Sequence, residues 1–184
     1  MKPITLKTKR LILRRSQEQD ADALFINYLS SPERSHFLCR KPHADISQTR
    51  DFIKSWCDLP WESEQNKFAW VIANKNEAIG LFLVECDNNH GIEIHYGISK
   101  KFENQGLMSE AGLAVVQWLS KQNKVNKIYA HCALENLGSQ AVLKNLGFKR
   151  EGILKNHLIL PALASSPQDC FLFTHACPKN EDLS

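Results

Sequence analysis

Two stretches hold residues whose types and spacing suit chemistry on an anion and beside a reactive group. The first is FENQGLMSEAG, Phe102 to Gly112. A lone glycine, Gly106, leads into Ser109, Glu110 and an apolar run, the pattern of a loop entering a helix. A helix N-terminus presents unpaired N–H groups and the positive end of the helix dipole, and both favour a phosphate. Glycine lets the backbone approach an anion with no Cβ in the way. A plain turn before a helix has the same pattern, so this segment alone leaves both readings open. The second stretch is ENLGSQAVLKNLGF, Glu135 to Phe148. Asn136 follows a strand-like run and is a good helix N-cap, and Ser139 lies three residues on. Gly147 is a helix-ending glycine. Neither G-x-x-x-x-G-K-[ST] nor G-x-G-x-x-G occurs, which argues against a P-loop site and a dinucleotide fold.

The elements that must carry these residues follow from periodicity. KRLILRR, Lys9 to Arg15, reads as a strand, and Ser16 with Gln19 has capping-box spacing for a following helix. Ala21, Leu24, Phe25, Tyr28 and Leu29 form one apolar stripe of that helix. The region from Pro32 to Pro42 reads as irregular. Asp45 caps a second helix with Ile46, Thr49, Ile53, Trp56 and Cys57 on one face, and Pro60 is expected to end it. FAWVIA, AIGLFLVEC and IEIHYGIS are three strands joined by short turns, an antiparallel meander. A helix from Met108 to Gln122 buries Met108, Ala111, Val115, Trp118 and Leu119. Then come a strand KIYAHCAL, a short helix Ser139 to Leu146 and a last strand CFLFTHA. A strand–helix–strand crossover makes Ile92–Ser99 and Lys127–Leu134 parallel neighbours. The expected fold is α/β: one mixed, mostly antiparallel sheet with helices on both faces. A single domain over residues 1–178 and a frayed tail over 179–184 are expected.

Composition limits the classes of function. The chain has 184 residues and a formal net charge of +3, too little to imply nucleic acid by itself. The basic run Lys2, Lys7, Lys9, Arg10, Arg14 and Arg15 reads as a solvated edge strand rather than a patch for RNA or an acidic partner. None of the six cysteines forms a C-x-x-C pair, so no metal site is expected. No signal-like or membrane-length apolar run occurs, and a reduced cytoplasmic setting is expected.

Taken in order, KRLILRR, IEIHYGISKKFENQGLMSEAG, ENLGSQAVLKNLGFKREGILK and QDCFLF resemble the Gcn5-related N-acetyltransferases (GNAT), in particular their RimJ/RimL-type branch. The likeness spans almost the whole chain. It implies a strand over Ile92–Ser99 that carries a bulge and splays from its parallel neighbour. The gap would take the pantetheine arm of acetyl-CoA. Backbone around Ile98, Asn104, Gln105, Gly106, Leu107, Met108 and Ser109 would bind the coenzyme, with amides of the loop holding the pyrophosphate. Asn136 would bond the pantetheine, and Ser139 would stand near the thioester sulfur. The sequence departs from the family pattern at five positions. Glu103 stands where an arginine or glutamine often opens the loop. Asn104 replaces a glycine, and Met108 a small residue. Leu143 occupies the position of a tyrosine general acid, and Leu158 that of a glutamate catalytic in some members. An acid at 103 should turn to solvent, away from the phosphates.

The implied activity is acetyl transfer from acetyl-CoA to a primary amine, with no covalent enzyme intermediate. Ser139 is the candidate proton donor to the thiolate. Glu93, His95 and His157 are candidate bases, Glu93 and His95 on one face of their strand. An N–H near Gly97 or Ile98 would hold the oxyanion. A free α-amine, with a pKa of roughly 7.7–8.0, needs less help than a lysine near 10.4. The acceptor is thus expected to be a protein N-terminus, such as that of a ribosomal protein, or a small-molecule or antibiotic amine. A non-catalytic acyl-CoA-binding module is the rival of another class. Phe37, Arg40, His43, Trp56, Trp61 and Phe68 are either an acceptor clamp or core. The protein is expected as a monomer or homodimer, without membrane or nucleic-acid partners.

Overall fold

Alternating and continuous apolar runs between short polar turns build the central meander. In the computed structural model, which describes residues 1–177, it comprises β3 (Lys67–Asn74), β4 (Glu77–Cys86) and β5 (Gly91–Ile98). The tail expected at 179–184 lies outside the described residues. Strands β1 (Leu6–Lys7) and β2 (Leu11–Arg14) add to one side. On the other side stand β6 (Lys127–Ala133), β7 (Lys149–Leu158) and β8 (Gln168–Ala176). The eight strands run in the order β1-β2-β3-β4-β5-β6-β8-β7, antiparallel except at β5 and β6.

Among the described residues six α-helices flank this sheet. α1 (Asp20–Leu24) runs on through a π turn over Phe25–Leu29, and α2 (Pro32–Ser35) follows. α3 (Ile46–Ile53) continues through a π turn over Lys54–Asp58 into α4 (Leu59–Glu62). These lie on one face, where Leu24, Leu29, Ile53 and Cys57 bury Val71, Leu81 and Leu83. α5 (Leu107–Leu119) and α6 (Leu137–Asn145) serve the other face. There Val115, Leu119, Leu143 and Leu146 pack with Phe68, Trp70, Phe82, Ile92 and Ile94. Apolar burial on both faces is what holds a central sheet of this kind.

Several expectations are corrected. The second helix does not end at Pro60, because proline is tolerated in a helix's first turn and here opens α4. Ser16 and Gln19 form no capping box. The Ser16 hydroxyl donates to Asp58, and buried Asp20 accepts from the Gln17 N–H at 2.7 Å and from Arg14 at 2.6 and 3.0 Å. Asp45 does cap α3, accepting from the Ser47 and Gln48 N–H groups. The basic start is not merely solvated, since Arg10, Arg14 and Arg15 are each tied to an acid. All six cysteines are free, and among the described residues no helix is long and apolar enough to cross a membrane.

Tyr28, on the π turn, is buried against β5. A Cβ at Gly97 would lie 2.0 Å from the Tyr28 hydroxyl oxygen, so only glycine fits beneath this ring. Gly97→Ala is expected to cost about 1–3 kcal/mol in urea denaturation. In a Tyr28→Ala background, which clears the space, the same substitution should cost clearly less. Equal costs would show that the ring does not set the requirement.

Candidate active site

The sheet opens where the parallel pairing ends. β5 and β6 match only at Gly91–Lys127, Ile92–Ile128 and Glu93–Tyr129. Beyond Glu93, β5 stays with β4 as far as Ile98, and β6 stays with β8 as far as Ala133. The two strands therefore part over Ile94–Ile98, as expected. The expected bulge is not seen as a register shift, because the β4–β5 pairing runs uninterrupted from Cys86–Ile92 to Gly80–Ile98. The splay comes from losing one neighbour, not from an inserted residue.

The loop after β5 reaches α5 through a turn at Lys100–Phe102. Gly106 is the N-cap of α5 in the left-handed region, φ 71°, and no side chain caps the helix. The first-turn N–H groups of Leu107, Met108 and Ser109 are thus offered to a ligand. The Leu107 and Met108 side chains anchor this turn in the core. Asn104, the residue in place of a glycine, also has positive φ, 58°. Asparagine tolerates that conformation better than other non-glycine residues, so the loop keeps a glycine-like turn. Arg10 clamps the loop from β2's start: Nη1 donates to the Gln105 carbonyl at 2.9 Å and Nε to Glu110 at 2.6 Å. Glu110 also accepts from Thr8 and the Arg10 N–H. Sequence reading missed Arg10, whose role depends on a partner a hundred residues away. Glu103 does not turn to solvent. It forms an ion pair with Arg34 of α2, so the loop's acid is neutralised locally.

At the opening stands α6. Asn136 Oδ1 accepts from the Ser139 N–H at 3.0 Å and caps the helix, which leaves its amide N–H groups for other partners. The Ser139 hydroxyl lies 3.0 Å from Tyr96 Oη, and Tyr96 also reaches the Ser139 carbonyl at 3.2 Å. Burial pushes the Tyr96 phenol well above its ordinary value, so it stays protonated. Cys132 on β6 is buried beside them, its thiol raised by burial and donating to backbone carbonyls. Such a thiol is a poor nucleophile. Leu143, where the family often has tyrosine, is fully buried core. A tyrosine nonetheless reaches this pocket from β5, which spacing along α6 could not reveal.

On the opposite face of β5 a polar group gathers. Glu93 Oε1 is 2.7 Å from His131 Nδ1 and 3.7 Å from His95 Nε2. The His157 ring lies against His131 at a tilt of 47°, centroids 4.5 Å apart. Burial works to raise the Glu93 carboxyl, but the His131 hydrogen bond and the nearby imidazoles outweigh it and hold it below the ordinary range. The three candidate bases thus share one cluster, joined by His131, which sequence reading missed. His157 reaches it because β7 changes register between Leu154 and Leu158, with Asn156 at φ 47° tied to Asp169. Leu158, in place of a glutamate, is buried with Leu160, Cys170, Ala133 and Phe37. Among the described residues Glu85, Glu93 and His95 have donor atoms within 4.8 Å of one another, the one grouping with metal-ligand spacing.

The aromatic clamp does not assemble. Phe68 is core, and Trp61 donates to the Ala69 carbonyl at 3.0 Å. Trp56 stacks on Phe52 under Lys67. His43 bonds Thr49, and Arg40 ties to the Leu29 carbonyl and Ser35. Phe37 alone lies against the strands flanking the opening.

A family model for the acetyltransferase (GNAT) domain matches residues 10–149. N-acetyltransferase p20 of Bacillus licheniformis is 33% identical over 155 residues, covering 83% of this chain and 86% of that protein. The ribosomal protein uS5 alanine N-acetyltransferase of Escherichia coli (strain K12) is 27% identical over 168 residues, covering 85% and 84%. Among solved structures, a RimL ribosomal-protein α-N-acetyltransferase in complex with coenzyme A superposes with a TM-score of 0.83 at 20% identity, covering 96% of this chain and all of that one. RimJ of Mycobacterium smegmatis, in complex with a coenzyme A disulfide, gives 0.83 at 18% identity, covering 98% and 90%. These neighbours share the splayed-sheet fold. The chain belongs to the GNAT acetyltransferase family and is an N-acetyltransferase.

Proposed function

We propose that the protein moves acetyl from acetyl-CoA directly to the α-amine of a protein N-terminus. The observation that carries this reading is the opening between β5 and β6, with donors on one face and bases on the other. The uncapped amides of Leu107, Met108 and Ser109 suit the pyrophosphate, and the free amide N–H groups of Asn136 suit the pantetheine. A protein N-terminus is favoured because an α-amine is partly neutral at physiological pH and this site has no strongly basic group to deprotonate lysine. The uS5 alanine N-acetyltransferase, a relative over most of both chains, acts on such an amine.

In this reading His95 takes the proton from the attacking amine. Glu93, held charged by its neighbours, orients and stabilises the imidazolium. A carboxyl held that low accepts a proton poorly, whereas histidine as a residue type titrates close to neutrality. The new C–N bond forms as the C–S bond breaks. The Ser99 N–H donates to Ile79 on β4, so by alternation the Ile98 N–H faces the opening and suits the oxyanion. Ser139 donates to the departing thiolate, and Tyr96 donates in turn to Ser139. A chain of two hydroxyls polarises itself, which offsets the weak acidity of each.

Steady-state assay with acetyl-CoA, N-terminal peptides and the same peptides with blocked α-amines tests the reading. Acetylation of blocked peptides or of small amines alone would refute the α-amine assignment. Ser139→Ala should lower kcat by roughly 10–100-fold with little change in acetyl-CoA affinity, and Tyr96→Phe by a smaller factor. An unchanged kcat in both removes the relay. Glu93 stays charged to below its ordinary value of 4.5, so it supplies no limb near neutral pH. Glu93→Gln should therefore lower kcat/KM without changing its pH dependence near neutrality, and His95→Gln should lower kcat/KM by roughly 10–100-fold; an unchanged kcat/KM in His95→Gln removes the base role. Asn136→Asp keeps the cap but replaces the amide donor. It should retain Tm and weaken acetyl-CoA binding by roughly tenfold, read by calorimetry.

A further inference from the structure

The loop that should receive the pyrophosphate carries an acid, and the cation beside it comes from another part of the chain. Arg34 is on α2, and its guanidinium is mostly buried, 15% exposed. Nη1 pairs with Glu103, and Nη2 lies 3.2 Å from Glu33. Nε is buried with no hydrogen-bond partner among the described residues. A buried N–H left unpaired is costly, and such a group is commonly waiting for a ligand or water. The Ser99 hydroxyl, at the root of the same loop, is buried and unpartnered too. A second tie runs alongside: Lys100 reaches both Glu33 oxygens, at 2.8 and 3.1 Å. Helix α2 is therefore fastened to the loop over Lys100–Glu103 by two crossed ion pairs.

The charges define the problem. An anion arriving at the first turn of α5 meets the helix amides and, three residues before Gly106, the Glu103 carboxylate. Like charges brought close together repel, so an unpaired acid here would weaken anion binding. Arg34 cancels that repulsion. A planar guanidinium with five N–H groups can also hold a carboxylate on one edge and a phosphate oxygen on another. We propose that Arg34 is a side-chain cation for the coenzyme's diphosphate, delivered from α2 and held in position by Glu103. Charge is then supplied in reverse order: the loop provides the anchor and a distant helix the cation. This rests on the acetyl-CoA reading given above, and it makes α2 part of the coenzyme site.

Two ligands and three variants test it by calorimetry. Coenzyme A carries the diphosphate, and S-acetylpantetheine does not. Arg34→Gln should weaken coenzyme A binding by roughly tenfold or more and leave S-acetylpantetheine unchanged. The double variant Arg34→Gln with Glu103→Gln separates the proposal from simple masking of an acid. If Arg34 contacts the diphosphate, the double variant stays at least about fivefold weaker than wild type. If Arg34 only neutralises Glu103, the double variant recovers wild-type affinity, and the proposal is overturned. Equal loss for both ligands would also overturn it, because the effect would then be structural. Should Arg34→Gln fail to fold, Arg34→Lys keeps the ion pair without the fork. It should lose several-fold for coenzyme A alone, and an unchanged affinity would overturn the proposal. A wild-type protein that binds neither ligand would instead sink the coenzyme reading itself.

Discussion

The structure depends on a parallel strand pairing that stops after three residue pairs. Every other contact between neighbouring strands is antiparallel. Parallel strands are held by slanted bonds and normally need cover on both faces. Here β4 keeps β5 on its course while β8 draws β6 away, each through seven matched pairs. The resulting gap lies inside a sheet rather than at its rim. Backbone groups that would otherwise bond each other are left facing a narrow space, which suits a slender polar chain. The α5 and α6 termini come to that space because their strands lead there.

The two faces of β5 carry different groups. Tyr96 looks toward α6 and Ser139, in a buried, protonated setting. Glu93 and His95 look the other way, toward His131 and His157. A strand's period of two is enough to separate a donor side from an acceptor side. In the proposed reaction a thioester between the strands would have its leaving group on the Ser139 side and the amine on the Glu93 and His95 side. The same separation keeps a phenol and an acid cluster from interfering with each other.

Much of this was legible in the sequence, for physical reasons. The meander, α5 and α6 carry strong apolar periodicity, and Asn136, Gly106 and Asp45 are local signals whose structural meaning depends on near neighbours. β7 escaped because nearly all of it is exposed on both faces, so it shows no alternation to read. Pro60 misled because its cost depends on position within a helix, not on its presence. Tyr96 and His131 were overlooked because each is defined by a partner on another element. Glu103 looked like a defect because its compensation lies at Arg34, far back in the chain.

The Arg10–Glu110 clamp joins residues a hundred positions apart. Closing so long a loop carries an entropic cost, which the contacts of the intervening chain help to meet. The shape of the anion loop therefore depends on the docking of the N-terminal ribbon and not on its local sequence alone. Its order is a read-out of a completed fold: a chain that has not yet docked its N-terminal ribbon presents no finished loop.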